Sequence, residues 1–141
     1  PNFTEAAFML GGEYRPAPCS KEYVESTLRR LSCLGPSKVV LTGVAFDGRQ
    51  VGSASYDRST DEISYALSDT VDGYFHGTGD VFASALLGAY MNGLSLAESA
   101  RIAVDYTHGC IVRTKEAGTD LRYGVDFEHG IPDLLRQTGI I

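Results

Sequence analysis

The succession of hydrophobic patterns along these 141 residues predicts an α/β protein built in layers. Three observations carry that expectation. Lys38–Val44 is a continuous apolar, β-branched run too short for a helix. Two strand-like segments follow it, each across a turn sequence. Helical patterns lie on both sides, giving the order helix, helix, three strands, helix, helix, an arrangement that lacks opening strands.

Phe3 to Leu10 reads as a short helix capped by Asn2 or Thr4 and ended by Gly11-Gly12. The stretch Glu13 to Pro18 contains two prolines and is a loop. Ser20 to Leu34 spaces Tyr23, Leu28, Leu31 and Leu34 helically among charges, with Ser20 as N-cap and Gly35-Pro36 as stop. This predicts an amphipathic surface helix on which Arg29-Arg30 is a solvated face. Lys38 to Val44 suits a buried strand of a parallel sheet. Turns at Asp47-Gly48 and around Arg58 to Asp61 lead to strands at Gln50 to Tyr56 and Glu62 to Leu67, and the three together form a sheet portion ending in a meander. From Thr78 to Asn92, Val81, Phe82, Ala85, Leu86, Leu87, Ala89 and Tyr90 cover nearly the whole circumference, which predicts a buried helix. Ser95-Leu96-Ala97-Glu98 is a capping box, and Leu96, Ala100, Ala103, Thr107, Cys110 and Ile111 share one face of the helix it starts. The chain beyond Gly118 is irregular, with a final short helix at Pro132 to Gln137. No repeat or linker divides the sequence, so residues 1–141 read as a single α/β unit.

A net charge of −6 and the lack of any Lys/Arg cluster argue against a nucleic-acid surface. Three cysteines, Cys19, Cys33 and Cys110, form no C-x-x-C pair and indicate neither a disulfide framework nor a zinc knuckle. A reducing cytoplasm is the simplest setting. No apolar stretch approaches the roughly 18 residues a membrane span needs, and no basic-then-apolar leader opens the chain. The start, Pro1-Asn2-Phe3-Thr4-Glu5, enters a helical pattern with neither Met nor a preceding strand. It reads as the later part of something longer.

The residues with chemical content stand at element ends. Gly77-Thr78-Gly79-Asp80 heads the apolar helix: glycines let backbone N–H groups approach an anion, the helix start adds its positive end, and a carboxylate stands beside them. The combination points to phosphoryl transfer, although a plain loop-to-helix junction would also place an Asp in the first turn. A P-loop is absent, and the third glycine of the dinucleotide fingerprint is missing. Asn2 and Glu5 share one helix face and are able to hold Mg²⁺-bound waters beside a phosphate, or equally to cap the helix. Thr42-Gly43 ends the apolar strand, where ligands of open α/β sheets bind, and is also ordinary turn chemistry. His76, His108 and His129 lack metal spacing, Tyr74 and Phe75 read as core, and Cys110 reads as a packed thiol.

Asn2-x-x-Glu5, Val39-Val40-Leu41-Thr42-Gly43 and Gly77-Thr78-Gly79-Asp80, in this order, resemble the ribokinase-like (PfkB-type) small-molecule kinases. Within them the pattern is most similar to pyridoxal/pyridoxamine kinases, with their T-P-N-x-x-E-A and G-T-G-D segments. The resemblance covers the C-terminal half of such a kinase. It implies a layered, Rossmann-like α/β/α architecture, here without its N-terminal strands and lid.

The resemblance also implies roles. Asp80 matches the catalytic base, and Gly77, Thr78 and Gly79 match the anion hole. Asn2, Thr42, Gly43, Val71 and Phe75 match positions on the ATP side, and Glu5 matches a residue near Mg²⁺. The implied activity is ATP-dependent phosphorylation of the 5'-hydroxymethyl group of a vitamin B6 vitamer, in B6 salvage in the cytoplasm, by a longer parent. The 141 residues alone are expected to be inactive. Neither nucleic acid nor membrane is an implied partner, and a homodimer is admitted. Hydroxymethylpyrimidine (phosphate) kinases share N-x-x-E and a histidine before the glycines, as at His76, but commonly place cysteine where Asp80 stands. They are the first alternative, and a non-catalytic nucleotide-binding or structural piece is the second.

Overall fold

In the computed structural model, which describes residues 1–141, the first helix begins where one side chain satisfies a free amide. Asn2 Oδ1 accepts the Glu5 N–H at 2.9 Å and Glu5 Oε2 accepts the Asn2 N–H at 2.8 Å. This reciprocal cap starts helix α1, Phe3–Leu10, so that Asn2 rather than Thr4 is the cap. Gly11, at φ +63°, ends it. Pro1–Thr70 and Val71–Ile141 form two compact units.

In the first unit, the Ser20 hydroxyl accepts the Tyr23 N–H and starts α2, Lys21–Ser32. The helix stops two residues short of the expected Leu34. Gly35-Pro36 acts through the preceding turn, where the Ser32 hydroxyl donates to the Pro36 carbonyl at 2.8 Å. Strands β1 (Lys38–Val44), β2 (Gln50–Asp57) and β3 (Glu62–Asp69) follow in sheet order β1-β2-β3. Both pairings are antiparallel, which is the expected meander, and β1 has no parallel neighbour among these strands, which corrects the parallel setting expected for it. Short turns join the three strands, and a connection that short reverses the chain. Val39, Leu41, Ala54 and Tyr56 on one sheet face join Phe3, Ala6, Val24, Leu28 and Leu31 of α1 and α2 in the core. The other face is rich in hydroxyls: Thr42, Ser53, Ser55, Ser64 and Ser68.

Arg29 is more than a solvated residue. It pairs with Asp61 in the β2–β3 turn and stands over the Tyr56 ring, 5.0 Å from its centroid. Arg30 is exposed, as expected.

In the second unit, α3 (Thr78–Met91) packs along α4 (Leu96–Ala117). The expectation of an all-round buried α3 is overturned. Only Phe82, Ala85 and Ala89 are buried, a stripe at helical spacing, whereas Leu87 and Met91 are 61% and 74% exposed. A single partner helix covers a single stripe. The Ser95–Glu98 capping box forms as expected. Ala100, Ala103 and Cys110 are buried on α4, but Leu96, Thr107 and Ile111 are only half-buried, and Val104, Tyr106 and Thr114 lie deeper. Two 3₁₀ turns, Leu121–Tyr123 and Glu128–Gly130, lead to α5, Ile131–Gln137. No helix is long and apolar enough to cross a membrane.

Candidate functional site

The candidate residues occupy two places, one in each unit. In the second unit, Gly77 adopts φ +80°, a left-handed conformation that turns the chain sharply into α3. Its carbonyl accepts the Val81 N–H at 3.1 Å, which begins the helical ladder. The amides of Thr78, Gly79 and Asp80 therefore have no acceptor within the helix. No side chain caps them. Asn2, Ser20 and Ser95 do cap α1, α2 and α4.

Space at this mouth is open. A methyl group at Gly77 or Gly79 would meet no atom within 4 Å. Asp80 is exposed, with neither a hydrogen bond nor an ion pair holding its carboxylate. Uncapped amides beside a free carboxylate are able to bind an anion and accept a proton within one helical turn.

The approach to this mouth carries Val71 and Phe75, both half-buried, and the Phe75 ring leaves no room for a side chain at Gly73. Tyr74 is 76% exposed and edge-on to His76, with ring centroids 4.9 Å apart. The core position expected of Tyr74 is overturned. With α3 covered on one stripe only, the loop before it has no apolar layer to enter.

In the first unit, four predicted residues converge. The Thr42 N–H donates to the Pro1 carbonyl at 2.9 Å and the Thr42 hydroxyl to the same oxygen at 3.4 Å. The end of β1 thus adjoins Asn2 and the start of α1. Gly43, at φ +73°, sits in the bulge between Thr42 and Val44 that ends regular pairing. Asn2 and Glu5 cap each other, one of the two arrangements expected of them.

Mg²⁺ takes oxygen donors and keeps several waters, relying on one or two carboxylates plus substrate phosphates. Glu5 Oε2 is engaged by the Asn2 N–H, which leaves Oε1 outside the cap. No group of three or more His, Cys, Asp or Glu residues is arranged to hold a metal. The donor set fits an ion held mainly by phosphate oxygens and water.

Three contacts near the α3 mouth had no signal in the sequence. A methyl at Gly124 would stand 3.8 Å from the His76 carbonyl oxygen, so the segment after α4 runs beside the glycine motif. Thr114 and Arg113 hold that segment from α4. These pairs lie a dozen or more residues apart and belong to no periodic pattern.

Residues 1–124 match the family model described as phosphomethylpyrimidine kinase. The chain belongs to this kinase family. No curated protein sequence matches the chain. Among solved structures, a protein of Bacteroides thetaiotaomicron assigned as a phosphomethylpyrimidine kinase shares 28% identity over 95% of this chain and 46% of its own, with a TM-score of 0.88. Pyridoxal kinase from Lactobacillus plantarum shares 27% over 96% of this chain and 48% of its own, with a TM-score of 0.83. Pyridoxal kinase from Leishmania donovani, solved with ADP and pyridoxamine, is 20% identical over 95% of this chain and 46% of its own, has a TM-score of 0.78, and speaks to the fold alone. The mixed α/β architecture is thus that of the pyridoxal-kinase-type, ribokinase-like kinases. This kinase-family chain spans about half the length of these structures.

Proposed function

We propose that this chain is the C-terminal, nucleotide-binding half of an ATP-dependent kinase that phosphorylates the 5'-hydroxymethyl group of pyridoxal, pyridoxamine or pyridoxine, in vitamin B6 salvage in the cytoplasm. The observation that carries the reading is the uncapped start of α3, where Gly77 turns the chain and Asp80 keeps an unpaired carboxylate. The pyridoxal in a second crystal form of the Bacteroides thetaiotaomicron structure, 27% identical to this chain, supports the choice of acceptor.

The chemistry follows from charge. As the substrate oxygen attacks the γ-phosphorus, its proton passes to the Asp80 carboxylate. Negative charge on the transferred phosphoryl group meets the N–H groups of Gly77, Thr78 and Gly79, an arrangement in which removing one donor costs on the order of 10²-fold in rate. Asn2, Thr42 and Gly43 in the first unit, and Val71 and Phe75 in the second, match the family's positions on the nucleotide side. Mg²⁺, when bound with the nucleotide, would neutralise phosphate charge, with Glu5 holding one of its waters.

A second reading is hydroxymethylpyrimidine (phosphate) kinase, favoured by the family model's own description and by His76. Asp80 in place of cysteine favours the pyridoxal reading. A phosphotransfer assay on the longer parent, with pyridoxal and hydroxymethylpyrimidine in parallel, decides between them. Asp80→Ala should abolish turnover there while MgATP affinity stays nearly intact, and retained turnover would remove Asp80 as base. Calorimetric titration of the 141-residue chain with MgATP is expected to show binding without turnover; absence of binding would favour a purely structural piece.

A further inference from the structure

The segment between α4 and α5 is fastened to α4 by polar contacts that are deep for a connecting loop. The Thr114 hydroxyl, 1% exposed, accepts the Asp126 N–H at 2.7 Å and donates to the Cys110 carbonyl at 2.7 Å. Arg113 Nη2 donates to the Asp126 carbonyl at 3.1 Å and reaches Cys110 Sγ at 3.3 Å. The Tyr106 hydroxyl donates to the Phe127 carbonyl at 2.6 Å. Three main-chain groups of two consecutive loop residues, the Asp126 N–H and carbonyl and the Phe127 carbonyl, are thus met by side chains of one helix.

Glycine closes the seat. A methyl at Gly130 would come within 2.3 Å of Arg113 Nη2 and 2.9 Å of the Tyr106 ring, so no larger residue lets this segment lie flat on α4. At its other end Gly124, φ +83°, runs beside the His76 carbonyl, one residue before the N-cap of α3.

We propose that residues 121–130 form a strap which α4 holds in place to set the His76–Gly77 peptide, making Thr114 and Arg113 positioning residues for the amide mouth of α3. The Gly77 N–H is part of the peptide whose carbonyl oxygen lies 3.8 Å from where a Gly124 methyl would stand, and the orientation of that peptide fixes where this donor points. A loop that carried no such duty would need no buried hydroxyl and no half-buried guanidinium to hold its main chain. The binding consequence rests on the phosphate reading of the mouth, while the geometric one does not.

The test is amide NMR of the full 141-residue chain, with MgATP titration alongside. Thr114→Val removes the acceptor at nearly constant volume and should displace the Gly77 and Gly79 amide resonances and weaken MgATP binding about tenfold. Thr114→Ser, which restores the hydroxyl, should return both. Unmoved resonances and unchanged affinity in Thr114→Val, with only a lower melting temperature, would overturn the proposal by reducing the strap to packing. Should Thr114→Val not fold, Tyr106→Phe, which loses only the bond to the Phe127 carbonyl, is read by the same two outcomes. A wild-type chain that takes up no MgATP overturns the phosphate reading and the strap's part in binding, and displaced amides in Thr114→Val would then support its geometric part alone.

Discussion

The Thr42 N–H donates to the Pro1 carbonyl at 2.9 Å, which seats the end of β1 against the entry to α1. Two sequence segments forty residues apart are joined there, and Asn2 and Glu5 extend from the junction as a reciprocal cap. Replacing Asn2 with Ala leaves the Glu5 N–H without its acceptor and should cost about 1 kcal/mol, read from urea unfolding. Glu5→Gln keeps an oxygen for the Asn2 N–H, so its stability should stay within about 0.5 kcal/mol of wild type. A loss of Mg²⁺ dependence in nucleotide binding by Glu5→Gln, at that unchanged stability, would separate charge from capping.

The three thiols should react in a fixed order. Cys33 is exposed, Cys19 is half-buried with its thiol pushed up by burial against a weaker opposing backbone contact from Ala45, and Cys110 is fully enclosed and also raised by burial. Thiolate is the reactive form, so exposure and pKa act in the same direction. A disulfide-exchange reagent should modify one thiol quickly, a second slowly and the third only in denaturant. Rapid modification of all three in the native chain would contradict the packing of α4.

Helix starts were legible in the sequence because a cap is a local event: Asn2, Ser20 and Ser95 each bond an amide three residues on. Gly77-Thr78-Gly79-Asp80 was legible for the same reason, since the uncapped mouth is built from four consecutive residues. The parallel setting of β1 was misread because an apolar run records burial, and strand direction is decided by connection length. α3 was misread because composition around a helix says what is able to be buried, and only the neighbours decide what is. The strap was illegible altogether, because the Thr114 to Asp126 bond depends on where a loop returns.

Two of the eight tyrosines should resist alkaline titration. Burial first, then the Glu25 carboxylate that accepts its hydroxyl proton, pushes Tyr65 up to about 12. Burial first, then Cys110, pushes Tyr106 up to about 12. Between pH 10 and 12 the unfolded chain has lost phenolic protons that the folded chain retains, so stability contributed below pH 10 falls as pH rises through this window. Unfolding followed across that range should show the decline, and Tyr106→Phe should make it shallower. In the native absorbance titration the same variant should remove one late-ionising phenol; an unchanged late phase would place Tyr106 in solvent.

Gly77 and Gly79 stand two residues apart and should respond oppositely to alanine. Gly77 holds φ +80°, where a Cβ is disfavoured by about 1–2 kcal/mol, so Gly77→Ala should destabilise the chain by that amount even though no neighbour obstructs the methyl. Gly79 lies inside the first turn of α3 at an ordinary helical φ, with nothing within 4 Å of the position a Cβ would take. Gly79→Ala should therefore stabilise the helix by up to about 1 kcal/mol. A residue whose replacement helps the fold has its reason elsewhere, and the proposed function supplies one, the close approach of a phosphate to the main chain. The expected result is a higher melting temperature with MgATP affinity lowered about tenfold or more. Higher stability with unchanged affinity would mean that the phosphate does not meet the amides of Thr78 and Gly79.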